Sequence, residues 1–275
     1  EGRIAEILGR YYRDGLGGAE NWEKIVSLNL SGELKTKEGK LTLNAYQKKP
    51  NLIKMNLFRE SVRVDINRRI RDYDLLVILG PVFPHEVVGF SGSNKYLFPG
   101  ISGGDFLHFF HWLGATITCR KTIGFKRTPM RNLVDDAARM VPTPRHYLAM
   151  VVRPGNELAG FYVGTPEEAW SEAANLSSRM HVRYTPRQYH TVLGVAPEMY
   201  DELWVGGKVM YKLEPVVEDG GTLIIYAPHI KEVSSTWGKY LKESGYHVHD
   251  YFTADMSAYS HIPRAVLAHA THVKG

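Results

Sequence analysis

Residues 83–114 concentrate residue types that a buried segment usually avoids. The stretch FPHEVVGFSGSNKYLFPGISGGDFLHFFHWLG holds six glycines, two prolines, one lysine and three histidines in 32 positions. Glycine costs backbone entropy, proline removes a hydrogen-bond donor, and lysine and histidine are poor core residues. A flexible loop with a central lysine and flanking histidines is therefore a candidate site for binding or proton transfer.

The loop also lies where a site is expected in an α/β protein. It follows DLLVIL (74–79), an apolar run that predicts a strand buried on both faces. Ligands of open α/β sheets bind at the carboxyl ends of strands. Gly89, Gly92 and Gly100 permit positive φ angles and a close approach of the backbone to a ligand.

A helix should follow this loop. We expect it to cover FLHFFHWL (106–113), with Asp105 as its N-cap and Gly114 just past its end. His108 and His111 would lie roughly 60° apart around such a helix and could share a metal. Alternatively, each histidine is only a hydrogen-bonded structural residue.

Common phosphate and zinc motifs do not account for the loop. The GxxGxxK pattern at 89–95 lacks the GxxxxGK[ST] spacing of a phosphate loop, and HEVVG at 85–89 is not HExxH. A metalloprotease is therefore excluded on this stretch.

The composition is that of a globular protein. Of 275 residues, 44% are hydrophobic and 23% are charged. The sequence contains no run of about 18 apolar residues of the kind that predicts a membrane span. Cys119 is the only cysteine, which excludes an intrachain disulfide and a cysteine-based zinc site and fits a cytoplasmic location. The net charge is +5, and the basic segment 119–131 is either solvated surface or faces an anionic ligand. No nucleic-acid-binding signature accompanies this charge.

The chain has two regions with different patterns of hydrophobic residues. Residues 1–22 predict a helix, and alternating runs within 24–58 predict an antiparallel β meander. From about residue 59, continuous apolar runs alternate with helical segments, which predicts an α/β fold with mostly parallel strands. The predicted strands lie at 74–79, 146–152, 189–196 and within 219–228, and the predicted helices at 165–180, with Thr165 as N-cap, and 234–248. We place domain boundaries so that the units are 1–58, 59–184 and 185–275.

The loop sequence PHEVVGFSGSNKYLFPGISG resembles that of the lactate racemase family, whose members use a nickel-pincer nucleotide. The shared pattern is PH, GxxGxxK, PG and then a helix with a histidine. Lys95 follows His85 by ten residues, and His111 follows Lys95 by sixteen. VDINRRIRDYD, ELAGFYVGTPEEAW and PEMYDELWVGGKVMYK are also similar to that family, so the resemblance covers about 61–275. It implies two α/β units of the lactate racemase type, the second incomplete, after a small helix-plus-antiparallel-β segment.

This resemblance implies an isomerase that racemises or epimerises a small 2-hydroxy acid by hydride transfer. It implies that Lys95 is joined covalently to the cofactor, that His111 ligates its nickel, and that His85 is the acid/base for the substrate hydroxyl. Gly89 and Gly92 would let the loop wrap the cofactor ring, and Lys208 would bind the substrate carboxylate. Neither nucleic acid nor a membrane is implied as a partner.

The chain also departs from the family. Where the family has the pattern YQxxK, this chain has Trp204-Val205-Gly206-Gly207-Lys208. The lysine is kept but the tyrosine and glutamine are not, so the substrate can differ from lactate. The family's N-terminal region, with a second acid/base histidine, is not recognisable in 1–58, which more weakly resembles a lipoprotein-carrier-like β domain. We therefore expect weak or absent racemisation, because racemisation needs a base on each face of the carbon.

Two other functions stay open at this point. In the first, the protein is non-catalytic, and a carrier-like sheet binds an apolar ligand beside a racemase-like scaffold. In the second, an α/β protein binds an anion or nucleotide through the glycine loop without nickel.

Overall fold

The computed structural model describes residues 62–271 and the backbone of 25–28 and 41–42. The helix predicted at 1–22 and most of the meander predicted for 24–58 lie outside the described residues. Strands β1 (Ile25–Leu28) and β2 (Leu41–Thr42) each pair antiparallel with β3 (Arg63–Asn67). This sheet therefore joins residues from both sides of the boundary predicted at residue 58.

The described part of the chain is a mixed α/β protein, as predicted. Its other strands are β4 (Leu76–Pro81), β5 (Pro84–His85), β6 (Gly89–Phe90), β7 (Arg145–Val152), β8 (Leu158–Gly164), β9 (Tyr189–Val195) and β10 (Val217–Tyr226). Its α-helices are α1 (Gly104–Ile117), α2 (Pro129–Arg139), α3 (Pro166–His181), α4 (Leu203–Leu213), α5 (Gly238–Ser244), α6 (His249–Ala254) and α7 (Arg264–Ala270).

The main sheet has the order β4-β7-β8. Strands β4 and β7 are parallel, whereas β8 runs antiparallel to β7. The expectation of mostly parallel strands holds for β4 with β7 and for β9 with β10, but it missed β8. Only residues 153–157 connect β7 to β8, with Gly155 and Asn156 at φ angles of +83° and +62°. Such a short connection can only form a hairpin, because a parallel neighbour needs a longer crossover.

One face of this sheet contributes to the principal core. Tyr147, Ala149 and Val151 of β7 are fully buried in one hydrophobic cluster with side chains of α1, α2 and α3. The opposite face is open within the described residues, where Val77 is 60% and Val163 64% exposed. The prediction that 74–79 is buried on both faces is therefore wrong here, because no described element packs on that side.

Helix α3 follows its sequence signals closely. Thr165 caps the helix, since its hydroxyl oxygen accepts from the Glu168 N–H at 3.3 Å. The same hydroxyl donates to the Glu168 carboxylate at 2.7 Å, and Pro166 occupies the first turn. This reciprocal capping confirms the predicted helix start.

Helix α1 is longer than predicted at both ends. Its N-cap is Gly103, and Asp105 lies inside the first turn, so the assignment of Asp105 as N-cap is wrong. Gly114 also lies within the helix rather than past its end. A Cβ atom at Gly114 would stand 2.6 Å from Val87 Cγ1, so this glycine permits close packing of a neighbouring loop and does not end the helix.

The second unit consists of the parallel pair β9 and β10 with helices α4 to α7. A Cβ atom at Gly194 would lie 2.4 Å from Val209 Cγ1, which shows how closely α4 packs on β9. The helix predicted at 234–248 is shorter, because the Ser234 hydroxyl accepts from the Trp237 N–H at 3.1 Å and forms a turn before α5. Gly245, at a φ of +67°, ends α5, three residues before the predicted end at 248. None of the helices in residues 62–271 is long and apolar enough to cross a membrane.

Candidate active site

A tight hairpin positions His85 at the end of β4. Strands β5 and β6 pair through His85 and Gly89, and residues 86–88 form the turn. Gly89 has a φ of +86°, and a Cβ atom there would lie 1.9 Å from the Phe125 carbonyl oxygen. The Thr122 hydroxyl donates to the Glu86 carbonyl oxygen and closes the turn from the other side. A side chain at position 89 is therefore excluded by both conformation and space.

Arg131 and Trp170 hold the glycine loop through its carbonyl groups. The buried Arg131 guanidinium donates to the carbonyl oxygens of Phe90 and Gly92, the latter at 3.2 Å. Trp170 Nε1 donates to the Ser91 carbonyl oxygen at 2.9 Å, and its ring centroid lies 4.2 Å from the guanidinium carbon of Arg131. Three successive carbonyl groups of the loop are thus satisfied by side chains of α2 and α3.

Asn94 fastens the residue before the lysine. Its side-chain amide donates to Asp135 Oδ1 at 3.0 Å and to Glu167 Oε1 at 2.8 Å. The hydroxyl of Ser93 donates to the Pro166 carbonyl oxygen at 2.8 Å. Because these partners belong to α2 and α3, the loop is anchored to two rigid helices just before Lys95.

Gly92 lets the loop backbone pass close to the side chain of Tyr147 on β7. Its φ is +86°, and a Cβ atom would stand 2.3 Å from the Tyr147 hydroxyl oxygen. That hydroxyl donates to the Gly80 carbonyl oxygen at 2.9 Å, so it cannot move freely. Gly92 is needed for the shape of the loop whether or not it also contacts a ligand.

Lys95 is partly buried in the short 3₁₀ helix Ser93–Tyr96. Burial lowers its pKa to about 8; the Glu86 carboxylate opposes that shift, and the charges of Arg131 and Lys208 add to it. A substantial fraction of this amine is therefore neutral near pH 8, and a neutral amine can act as a nucleophile.

His111 presents one free imidazole lone pair. Its Nδ1 lies 2.8 Å from the Leu107 carbonyl oxygen, which can only accept, so Nδ1 carries the proton and Nε2 does not. Burial lowers the pKa of His111 to about 4, and the charge of Lys95 contributes to the shift. The ring is neutral at physiological pH, with its tautomer held by a backbone carbonyl as in many metal-ligating histidines.

His85 is in the opposite tautomer. The Val87 N–H donates to His85 Nδ1 at 3.0 Å, so the neutral ring carries its proton on Nε2. Burial lowers its pKa to about 3, and the carboxylate of Glu86 opposes this shift. The charges of Lys95 and Lys208, and that of His111 when it is protonated, lower the pKa of His85 further. The structure therefore brings all four predicted site side chains into one electrostatically coupled group.

Lys208 differs from the other three. It is an exposed residue of α4, and it reaches this group from the second α/β unit. Its charge lowers the pKa values of His85 and Lys95. A cation in this position can attract an anionic ligand toward the loop.

The described residues contain no group of three or more His, Cys, Asp and Glu side chains that could hold a metal ion. A metal bound at His111 would therefore need most of its ligands from outside the described residues. Within the described part of the chain, His108 Nδ1 is buried without a hydrogen-bond partner, while the residue as a whole is only partly buried. The charge of His108, when it is protonated, lowers the pKa of His111, and the sharing of a metal by the two rings stays a prediction.

The basic segment 119–131 mostly serves the protein itself. Arg120 donates to Asp219 Oδ1 at 2.8 Å and to the Val217 carbonyl oxygen at 3.0 Å. Lys126 donates to Asn175 Oδ1 at 2.8 Å, and Arg131 is the loop clamp. These three side chains are hydrogen-bonded to other parts of the protein, and anion binding by the segment stays a prediction.

The sequence did not reveal Glu86, Arg131 or Trp170 as site residues. Glu86 was next to a predicted acid/base, and that adjacency was the only available signal. Arg131 and Trp170 contact the loop across 39 to 79 positions of sequence, and no local pattern carries such contacts.

Together, the fold and the site define an α/β protein whose anchored glycine loop presents a lysine amine beside two neutral imidazoles. Comparison with known proteins places it more closely. Residues 26–124 match the family model described as the lactate racemase N-terminal domain. The resemblance to the lactate racemase family is thereby confirmed, and the match begins well before residue 61. It crosses the predicted boundary at 58, so residues 26–58 share the similarity; the division into three units stays a prediction.

Two solved structures are similar to this chain. A protein from Thermotoga maritima is 32% identical with a TM-score of 0.72, over 80% of this chain and 56% of that one. The lactate racemase apoprotein from Thermoanaerobacterium thermosaccharolyticum is 20% identical with a TM-score of 0.66, over 91% of this chain and 54% of that one. The second likeness shows that the fold is that of lactate racemase. This chain spans about half the length of either structure, and no curated protein sequence matches it.

Proposed function

We propose that this protein is a nickel-pincer-nucleotide-dependent racemase or epimerase of a small 2-hydroxy acid. The observation that carries the proposal is the meeting of a low-pKa amine at Lys95, a free Nε2 lone pair at His111 and an Nε2–H group at His85. The similarity to lactate racemase supports it.

The residues fit such a cofactor. A pincer brings its own donor atoms to nickel, so one imidazole from the protein is enough, and His111 offers it. Lys95 has the partly neutral amine that a covalent link requires. When bound, the cofactor supplies a reversible acceptor and donor of hydride. We assign Lys95, Gly89 and Gly92 to holding it.

The protein's own part in the reaction is placement and proton transfer. His85 exchanges the proton of the substrate hydroxyl, and Lys208 attracts the substrate carboxylate. A side-chain base cannot readily remove the weakly acidic C2 hydrogen of a 2-hydroxy acid, whereas its hydroxyl proton can be transferred to a histidine as hydride leaves the carbon.

The expectation of weak or absent racemisation loses part of its basis. It was based on an N-terminal segment unlike the family, and the match from residue 26 removes part of that basis. Racemisation by this protein is therefore tested directly by the following experiment.

The test is inversion of a substrate deuterated at C2. The protein, produced together with the cofactor biosynthesis enzymes, is incubated with single enantiomers of short 2-hydroxy acids, and chirality and deuterium are followed. We expect inverted product that keeps its deuterium, because hydride transfer does not exchange with water. Lys95→Ala should abolish this activity, whereas Lys121→Ala, an exposed lysine outside the site, should not.

Metal content separates the alternatives. His111→Ala should lose nickel, while His108→Ala, one turn earlier on α1, should keep it. Loss of deuterium to solvent would contradict the proposed hydride chemistry. If the protein carries no cofactor after production with the cofactor biosynthesis enzymes, a non-catalytic binding protein would be favoured.

A further inference from the structure

Glu86 is a partly buried carboxylate next to the proposed acid/base, and no step described so far uses it. Its Oε2 lies 3.6 Å from His85 Nδ1, and the two side chains are only 16% and 18% exposed. Its charge also acts on Lys95 and His111. The carboxylate is therefore part of the candidate active site, although 3.6 Å is too long for a hydrogen bond.

The hydrogen bond from Val87 creates a chemical problem for His85. Because Val87 N–H donates to Nδ1, the ring proton is on Nε2. In that tautomer Nε2 can donate a hydrogen bond, but it has no lone pair with which to accept a hydroxyl proton. The other tautomer, with the proton on Nδ1, must form before His85 can act as a base at Nε2.

The Nδ1–H tautomer needs an acceptor beside Nδ1. The groups that act on the pKa of His85 are Glu86, Lys95, Lys208 and, when it is protonated, His111. Glu86 is the one anion among the causes of its shift. Its Oε2 already faces Nδ1, so a small movement would bring it within hydrogen-bond distance.

We propose that Glu86 is a positioning residue that accepts the His85 Nδ1–H and thereby makes Nε2 the working nitrogen. The tautomer change takes one proton off Nε2, places one on Nδ1 and breaks the hydrogen bond from Val87 N–H to Nδ1, so the ring stays neutral and Glu86 replaces Val87 as the partner of Nδ1. The hydroxyl proton of the substrate then goes to Nε2, and the resulting imidazolium is balanced by the Glu86 carboxylate, which stays ionised. In the reverse direction Nε2–H returns its proton to the carbonyl oxygen. The catalytic use of this arrangement depends on the proposed function, but the tautomer equilibrium does not.

The tautomer can be measured without cofactor. Long-range ¹H–¹⁵N spectra of ¹⁵N-histidine-labelled protein near pH 7.5 report which ring nitrogen carries the proton, and the His85 signals are assigned with His85→Gln. The wild type should show a detectable share of Nδ1–H. Glu86→Gln keeps the size of the side chain and removes its charge, and it should reduce that share by about tenfold, since charge-assisted hydrogen bonds are the stronger ones.

Matched variants make the result specific. Glu172→Gln removes an exposed carboxylate of α3 and should leave the His85 signals unchanged. If Glu86→Gln fails to fold, Glu86→Asp shortens the side chain, keeps the charge, and should give an Nδ1–H share below that of the wild type. Identical His85 nitrogen shifts in the wild type and the folded Glu86 variant would overturn the proposal.

Activity is a second readout. In cofactor-loaded protein, Glu86→Gln should lower kcat by about tenfold or more while KM changes much less, because the substrate contacts remain. A tautomer effect without any activity in the wild type would sink the proposed function alone. An active wild type whose Glu86→Gln variant shows unchanged tautomer and unchanged kcat would sink only the role of Glu86.

Discussion

Arg131→Met is the variant that most directly tests how the glycine loop is held. Arg131 is 3% exposed, and burial lowers its pKa to about 10, so it is still charged at neutral pH. It donates to the carbonyl oxygens of Phe90 and Gly92 and lies over the ring of Trp170. Methionine fills similar apolar space and removes all three interactions.

The expected loss can be built from these contacts. Each hydrogen bond to a charged group is worth about 1.5–3 kcal/mol, and a desolvated cation–π contact adds about 1–2 kcal/mol. Removing the buried charge returns part of its desolvation cost. We therefore expect Arg131→Met to lower the free energy of unfolding by about 3 kcal/mol, mainly because two loop carbonyl groups lose their donor.

Urea denaturation at pH 7.5 measures this loss. The matched control is Arg139→Met on the same helix, where a 63% exposed arginine pairs with Asp136 on the surface. The control should cost less than about 1 kcal/mol. If Arg131→Met costs no more than the control, the loop is not held by this clamp, and the argument that α2 and α3 fix the position of Lys95 is wrong.

Three further predictions concern other parts of the molecule. The rate at which an amine-reactive reagent acylates Lys95, followed by peptide mass mapping, should titrate near pH 8. A titration near 10.5, as for an exposed lysine, would contradict the burial argument. In cofactor-free protein, the free energy of unfolding should fall as pH drops from 6.5 toward 4. The cause is that His85 and His111 bind protons in this range in the unfolded state but stay neutral in the folded state. A His85→Gln/His111→Gln variant should show a smaller fall. His269→Leu should cost about 2–3 kcal/mol in urea denaturation, since its Nδ1 and Nε2 lie 2.6 Å and 2.8 Å from the hydroxyl oxygens of Tyr211 and Tyr246; a loss under 1 kcal/mol would show that this network does not tie α7 to α4.

The elements that the sequence predicted well are those with local signals. Thr165, Pro166 and Glu168 mark the start of α3 within three residues of each other, and the structure has that helix start. The run at 146–152 and the observed β7 differ by one residue. In both cases the residues that decide the structure are neighbours in sequence.

The misreadings arise where a distant contact decides the role of a residue. Gly114 has the type and position of a helix terminator, yet it serves the packing of Val87 against α1. Asp105 resembles an N-cap, yet its carboxylate pairs with Arg63 Nε at 3.3 Å while Gly103 caps the helix. Sequence pattern cannot distinguish these uses, because the partner lies more than 20 positions away.

The candidate site shows the same division. Its chemical side chains, His85, Lys95 and His111, were visible from residue type and spacing. Their protonation and tautomers were not, since those depend on burial and on the Leu107 carbonyl and Val87 N–H groups. The sequence therefore identified the candidate site residues, and the structure was needed to assign the protonation state and tautomer of each one.

The most direct test of the central claim is peptide mapping by mass spectrometry of protein produced with the cofactor biosynthesis enzymes. The account predicts a covalent mass addition located on Lys95 that disappears in Lys95→Ala and persists in Lys121→Ala. A cofactor attached to a different lysine, or bound with Lys95 unmodified, would contradict it.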